Sequence, residues 1–146
     1  MDGPAFEYED LEALFIVTSL RRPSGAEFGA HVRAMTARHQ RPGRFAMVMD
    51  VAKAPPPTPQ HRRVQDRWLA EHHVLIANKC FGVAFIFSSP AARFVLSTML
   101  LLRPLPCPYA VCDSRAQALG RAEAWLRAAG IVPAWSRDRS LSSRPP

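Results

Sequence analysis

Four times between residues 14 and 130 a short apolar run is followed by a helix-start signature, and this alternation constrains the fold more than any other feature of the chain. Leu14-Phe15-Ile16-Val17-Thr18-Ser19 is apolar and β-branched almost throughout, as a strand buried on both faces must be. Ser24 followed by Glu27 has the spacing of a capping box, which predicts a helix with Phe28, Val32 and Met35 on one face and a stop at Pro42-Gly43. Residues 45–49 read as the next buried strand, closing on Asp50.

Ala54-Pro55-Pro56-Pro57 can continue neither a sheet nor a helix, because proline lacks the amide hydrogen and fixes φ. Thr58-Pro59 then opens a helix running to about Lys79, with Val64, Trp68 and Leu75 sharing a face. Residues 82–87 are the clearest strand, and Ser89-Pro90 starts a third helix that ends near Arg103. Pro104, Pro106 and Pro108 break the chain before a short strand at residues 109–112. Ser114 with Gln117 starts the last helix, whose face is Ala118, Ala122, Trp125 and Leu126 and whose end is Gly130. Phe6 and Tyr8 alternate with Glu7 and Glu9, the pattern of an antiparallel edge strand.

Strands alternating with helices pack most simply as parallel strands joined by crossovers. The expectation is a single α/β domain over residues 1–135, with a mostly parallel four- or five-stranded sheet and four helices. Residues 136–146 are polar, arginine-containing and proline-ended, and are expected to form a disordered tail. At 146 residues the chain can bury roughly 70% of its unfolded surface and needs no staple.

The composition excludes several function classes. Cys80, Cys107 and Cys112 are an odd number without clustered histidines, so buried reduced thiols are expected rather than a zinc site, and no cofactor is expected. The acidic first twelve residues do not resemble a secretory leader, and the apolar run at residues 94–102 is far shorter than the ~20 residues of a membrane span. A cytoplasmic location is therefore expected. The net charge of +7 comes almost wholly from arginines spread along the chain, so nucleic-acid binding is not expected.

Asp50 with His61, His72 and His73 suggests an acid–base or metal cluster, but His72 and His73 point about 100° apart and lack the four-residue spacing of a two-histidine metal motif. His72 is better read as half-buried. Ser88-Ser89-Pro90 has the position of a nucleophile but the chemistry of a helix cap, and no nucleophile elbow or phosphate loop is present. Arg33, Arg38, Arg41, Arg44, Arg62, Arg63 and Arg67 could gather an anion, though arginines on helix faces are usually solvated. The third helix is the exception to these bland readings. At about 100° per residue, Ala92, Val95, Leu96, Met99, Leu100 and Leu102 form a broad sheet-facing side, while Phe94 and Leu101 form a second apolar stripe flanked by Ser97 and Thr98. Phe94, Ser97, Thr98 and Leu101 are the candidate interface, for a protein partner or a second copy.

Three passages carry a family likeness: Arg44-Phe45-Ala46-Met47-Val48-Met49-Asp50, Cys80-Phe81-Gly82-Val83-Ala84-Phe85-Ile86, and Tyr109-Ala110-Val111-Cys112-Asp113-Ser114 followed by the Ala124-Trp125-Leu126 helix. In this order the chain resembles the STAS fold of anti-sigma-factor antagonists and a bacterial STAS-like or SEC14-like branch. The resemblance implies a non-enzymatic regulatory or scaffold module that binds proteins. The alternatives are a lipid- or small-ligand-binding protein of SEC14-like character, with the third helix as a lid, and a basic nucleic-acid-associated protein. The antagonists carry a phosphorylated serine after an aspartate, where this chain has Ala54-Pro55-Pro56-Pro57-Thr58-Pro59. Thr58 is therefore read as a helix cap, and the phosphoswitch is not carried over.

Overall fold

The computed structural model describes residues 3–136. Among them, β1 (Phe6–Leu11), β2 (Leu14–Ser19), β3 (Phe45–Asp50), β4 (Cys80–Ile86) and β5 (Tyr109–Cys112) lie side by side in chain order. β1 runs antiparallel to β2 with Leu11 opposite Leu14, so Glu12 and Ala13 alone make the turn, and Ala13 takes the left-handed φ of 58° that so tight a reversal requires. The other three pairings are parallel. The antiparallel edge expected at Phe6 and Tyr8 is present, and β4 starts two residues earlier than the sequence pattern suggests.

The period-two alternation of each strand sorts its side chains between two cores. Leu14, Ile16, Ala46, Val48, Ala84 and Ile86 point to one face, and Phe15, Val17, Phe45, Met47 and Val83 to the other. On the first face lies α5 (Arg115–Ala128), through Ala118, Ala122 and Leu126. Gly82 makes this approach possible: a Cβ there would stand 2.6 Å from the Trp125 ring. The opposite face is covered by α1 (Gly25–Gln40), α2 (Pro59–Glu71) and α3 (His73–Lys79), which bury Met35, Trp68, Leu69 and Ile76.

Among the described residues, α1 to α5 are five helices rather than the four expected, because the segment after Thr58 breaks at His72. His72 leaves helical geometry at φ −114° and ψ 20°, bonds through Nδ1 to the Trp68 carbonyl at 3.0 Å and stacks on the Trp68 ring. It is half-buried, as expected. Ile76, after the bend, is buried in the core, whereas Val64, expected to share the Trp68 face, is 36% exposed. The expected caps are in place. Ser24 and Glu27 form the reciprocal box, Thr58 Oγ1 accepts from the His61 amide at 3.1 Å, and Ser89 and Ser114 accept from Ala92 and Gln117. Gln117 reaches back to the amide of Asp113 instead of Ser114.

Two expectations need correction on burial. Arg38, grouped with solvated arginines, is buried: its guanidinium lies 4.2 Å from the Phe45 ring centre, and its Nε is 3.3 Å from Asp10 Oδ1 without hydrogen-bond alignment. The cation keeps a carboxylate and an aromatic face, which offset its loss of water. Ser136, placed in the tail, is fully buried, its hydroxyl donating to Glu123. The remainder of the expected tail, 137–146, lies outside the described residues.

Candidate functional site

α4 (Pro90–Leu102) connects β4 to β5, and it does not settle onto the sheet as the other helices do. Leu100 is its one buried residue. Ala92, Val95, Leu96 and Met99, expected to pack on the strands, are half-buried and line a cavity of about 210 Å³ instead. Leu102, assigned to the same side, is 83% exposed. It stands about 200° round the helix from Leu100, so the inward arc is narrower than the apolar pattern suggests and centred away from Leu102.

The floor of the cavity is the carboxyl end of the parallel sheet: Ser19 at the end of β2, Met49 and Val51 at the end of β3, and Phe85 and Phe87 at the end of β4. Ligand crevices in open α/β sheets form at this end of the strands. One wall is Phe28 and His31 of α1, another is His61, Gln65 and Leu69 of α2, and the proline strap Pro55-Pro56-Pro57 borders it. Phe28 stacks on His61 with centroids 4.6 Å apart, and His31 stacks on Phe6 at 4.0 Å, so both imidazoles present ring faces among aromatic neighbours. Tyr8 Oη is 2.8 Å from His31 Nδ1. Burial holds the His31 pKa down at about 4, which keeps the ring neutral at neutral pH.

Four arginines line the cavity. Arg21 is held by Glu27 through two hydrogen bonds of 2.9 and 2.6 Å, and that pairing, first among its causes, keeps the Glu27 carboxyl at about 2. Arg103 lies 3.8 Å from Asp66. Arg22 and Arg62 are exposed, and among the described residues neither has a carboxylate partner.

The candidate interface residues lie on α4. Phe94 is 73% and Leu101 83% exposed, Thr98 is exposed, and Ser97 is half-buried. The Ser97 and Thr98 hydroxyls donate to the carbonyls one turn earlier, Arg93 and Phe94, at 2.9 and 3.0 Å. The Asp50–histidine cluster is not assembled. Asp50 accepts from the Ala52 amide and faces Arg115, His61 and His72 turn to aromatic neighbours, and no group of three or more metal-ligating side chains occurs among the described residues. Ser89 caps α4, and Ser88 donates to the Ala52 carbonyl.

Two features escaped the sequence pattern. The first is the cavity itself, because residues that line a cavity and residues that fill a core have the same apolar spacing. The second is a thiol pair. Cys80 and Cys107, distant in sequence, meet where β4 and β5 start, with the Val83 amide donating to the Pro108 carbonyl beside them. The neighbouring Cys107 thiol, and then burial, push the Cys80 thiol well above its usual range, and Cys80 Sγ donates to the Gly82 carbonyl at 3.3 Å. Burial also raises Cys112.

No protein-family model matches the chain, and no curated protein matches it. Among solved structures, the chain is similar to a protein of the DUF3478 family with a SpoIIAA-like fold from Shewanella loihica PV-4. The TM-score is 0.61 at 8% identity, over 81% of this chain and 92% of that one. The chain thus has the SpoIIAA-like, or STAS-like, fold expected from its three strand passages, as one α/β domain with a mostly parallel five-stranded sheet. No helix among the described residues is long and apolar enough to cross a membrane.

Proposed function

We propose that the protein is a binding protein for an apolar small molecule or lipid chain, held in the cavity between the sheet and α4, with α4 as its movable cover. The observation that carries this reading is the cavity, of about 210 Å³, lined largely by apolar and aromatic side chains from three helices, α1, α2 and α4, and from the strands of the sheet. An engineered apolar cavity of about 150 Å³ already binds benzene, so this space is ample for a ligand. α4 suits a cover because Leu100 is its one buried residue, its Arg93–Asp113 ion pair is exposed, and it is flanked by the Ser88–Pro90 turn and the Pro104, Pro106 and Pro108 breaks. The interaction-module reading ranks second, since it has exposed side chains but no shaped site.

The test is binding of the neutral fluorophore N-phenylnaphthylamine to the purified protein, with Ala92→Trp as the filled-cavity variant. Saturable fluorescence enhancement that Ala92→Trp abolishes, with an unchanged circular dichroism spectrum, is expected. Enhancement absent from the native protein, or unaffected by Ala92→Trp, would overturn the reading.

Phe94, Leu101 and Leu102 keep a protein interface in view, because three large apolar side chains on one short helix are mostly exposed. Phe94→Asp with Leu101→Asp should change stability by no more than about 0.5 kcal/mol. If α4 is also an interface, the double variant should sediment as a smaller species than the native protein. Identical sedimentation of the two folded proteins would remove self-association through this face.

A further inference from the structure

We propose that the ligand is an anionic amphiphile, a medium-chain carboxylate whose head group is bound by Arg22 and Arg62 at the mouth while its chain fills the cavity. This rests on the cavity being a ligand site and adds the chemical class of what enters it. The interior is lined by Phe28, Met49, Leu69, Phe85, Val95 and Met99, and its histidines are stacked on aromatic rings, so it offers a polar ligand few hydrogen bonds. A sugar or other polyol would lose its water there without replacement. The polar groups that line the site are cationic in excess. Four arginines stand against one carboxylate, Asp66, which is already beside Arg103. Arg21 is likewise engaged by Glu27. Arg22, from the β2–α1 connection, and Arg62, from the first turn of α2, both line the cavity and are exposed, with guanidinium groups unmatched by any carboxylate among the described residues. Guanidinium groups bind carboxylates through paired N–H donors, and such charge-assisted bonds are about twice as strong as neutral ones. The cavity also bounds the length: a site of about 150 Å³ admits benzene, so about 210 Å³ suits a chain of medium length. Octanoate and decanoate are of this class, with the carboxylate left at the arginines.

Competition against N-phenylnaphthylamine with decanoate and with decanol, which share a chain and differ in the head group, tests the assignment. Decanoate should displace the probe at a concentration at least about tenfold lower than decanol. Arg22→Gln with Arg62→Gln should bring decanoate to the level of decanol, each measured against the variant's own probe affinity. Displacement by decanol at equal or lower concentration, or a double variant that keeps the acid preference, would overturn the anionic head group and leave the apolar site standing. Failure of the probe itself to bind would overturn both.

Discussion

Acidification from about pH 7 to about pH 5 should destabilise this protein through His31, and His31→Phe should remove that part of the loss. The ring is 5% exposed, stacked on Phe6 at a centroid distance of 4.0 Å, and burial holds its pKa at about 4 against an ordinary 6.5. Below pH 6.5 the unfolded chain takes up a proton at this position, whereas the folded protein does so only near pH 4. Between these values the unfolded state binds more protons, so stability falls as pH falls. The contribution is complete above about 6.5 and gone below about 4, and the full shift corresponds to about 3 kcal/mol. Most of the interval lies above pH 5, so the expected loss between pH 7 and pH 5 is about 2 kcal/mol.

Glu27 does not confuse this window. Its carboxyl is held near 2, chiefly by Arg21, so what it contributes is present above the ordinary 4.5 and is lost only as pH falls towards 2. His39 acts in the same direction as His31, because burial lowers it too, and this is why the comparison must be with a His31 variant and not with theory. Phenylalanine keeps the stack with Phe6 and returns the Tyr8 hydroxyl, on a 41% exposed residue, to water. Urea titrations followed by far-ultraviolet circular dichroism at both pH values, for both proteins, give the double difference directly. A native protein whose pH dependence matches that of His31→Phe would refute the buried neutral histidine.

Gly82→Ala should cost about 1–3 kcal/mol in urea unfolding, because the new methyl would sit 2.6 Å from the Trp125 ring; Gly82→Ala combined with Trp125→Leu should recover part of the loss. Thr58→Ala should lower stability by about 0.5–2 kcal/mol, with Thr58→Asp close to native, since the hydroxyl serves the His61 amide. Iodoacetamide at neutral pH should modify Cys107 before Cys80 or Cys112, as shown by peptide mass mapping, because Cys107 is partly accessible while the other two free thiols are buried.

Much of this fold could be read from the chain, and the reasons are local. Ser24, Thr58, Ser89 and Ser114 mark helix starts because a side-chain oxygen must serve free amides there, whatever the rest of the protein does. The inner strands β2, β3 and β4 are legible because each must be apolar on both faces, and the antiparallel edge because Phe6 and Tyr8 alternate with glutamates. What was not legible depends on distance in space. Arg38 is drawn into the core by Asp10 and Phe45, residues from other elements, and nothing beside it in sequence announces them. Cys80 and Cys107 meet through the β4–β5 register. The break at His72 comes from a ring that bonds and stacks back on Trp68, a choice that helix propensity alone does not make.

The cavity follows from topology rather than from any motif. Parallel crossovers are right-handed, and β2, β3, β4 and β5 are added in one direction without reversal, so every connecting helix is sent to the same face of the sheet. α1, α2 and α3 occupy that face first, and the bend at His72 carries α3 down to the start of β4. α5, following the last strand, is free of the crossover and closes the other face completely, with Ala118, Ala122 and Leu126 fully buried. α4 must therefore cover what remains of a crowded face, between the short Ser88–Pro90 turn and three prolines, and it reaches the core only at Leu100. Such a helix needs apolar residues towards the sheet whether or not they touch it, which is why its sequence resembles a packed helix. A packed α4 would have left Met49 and Phe85 covered and Val95 buried. Their partial exposure, into a common space bordered by Arg22 and Arg62, is what separates an open cavity from a finished core.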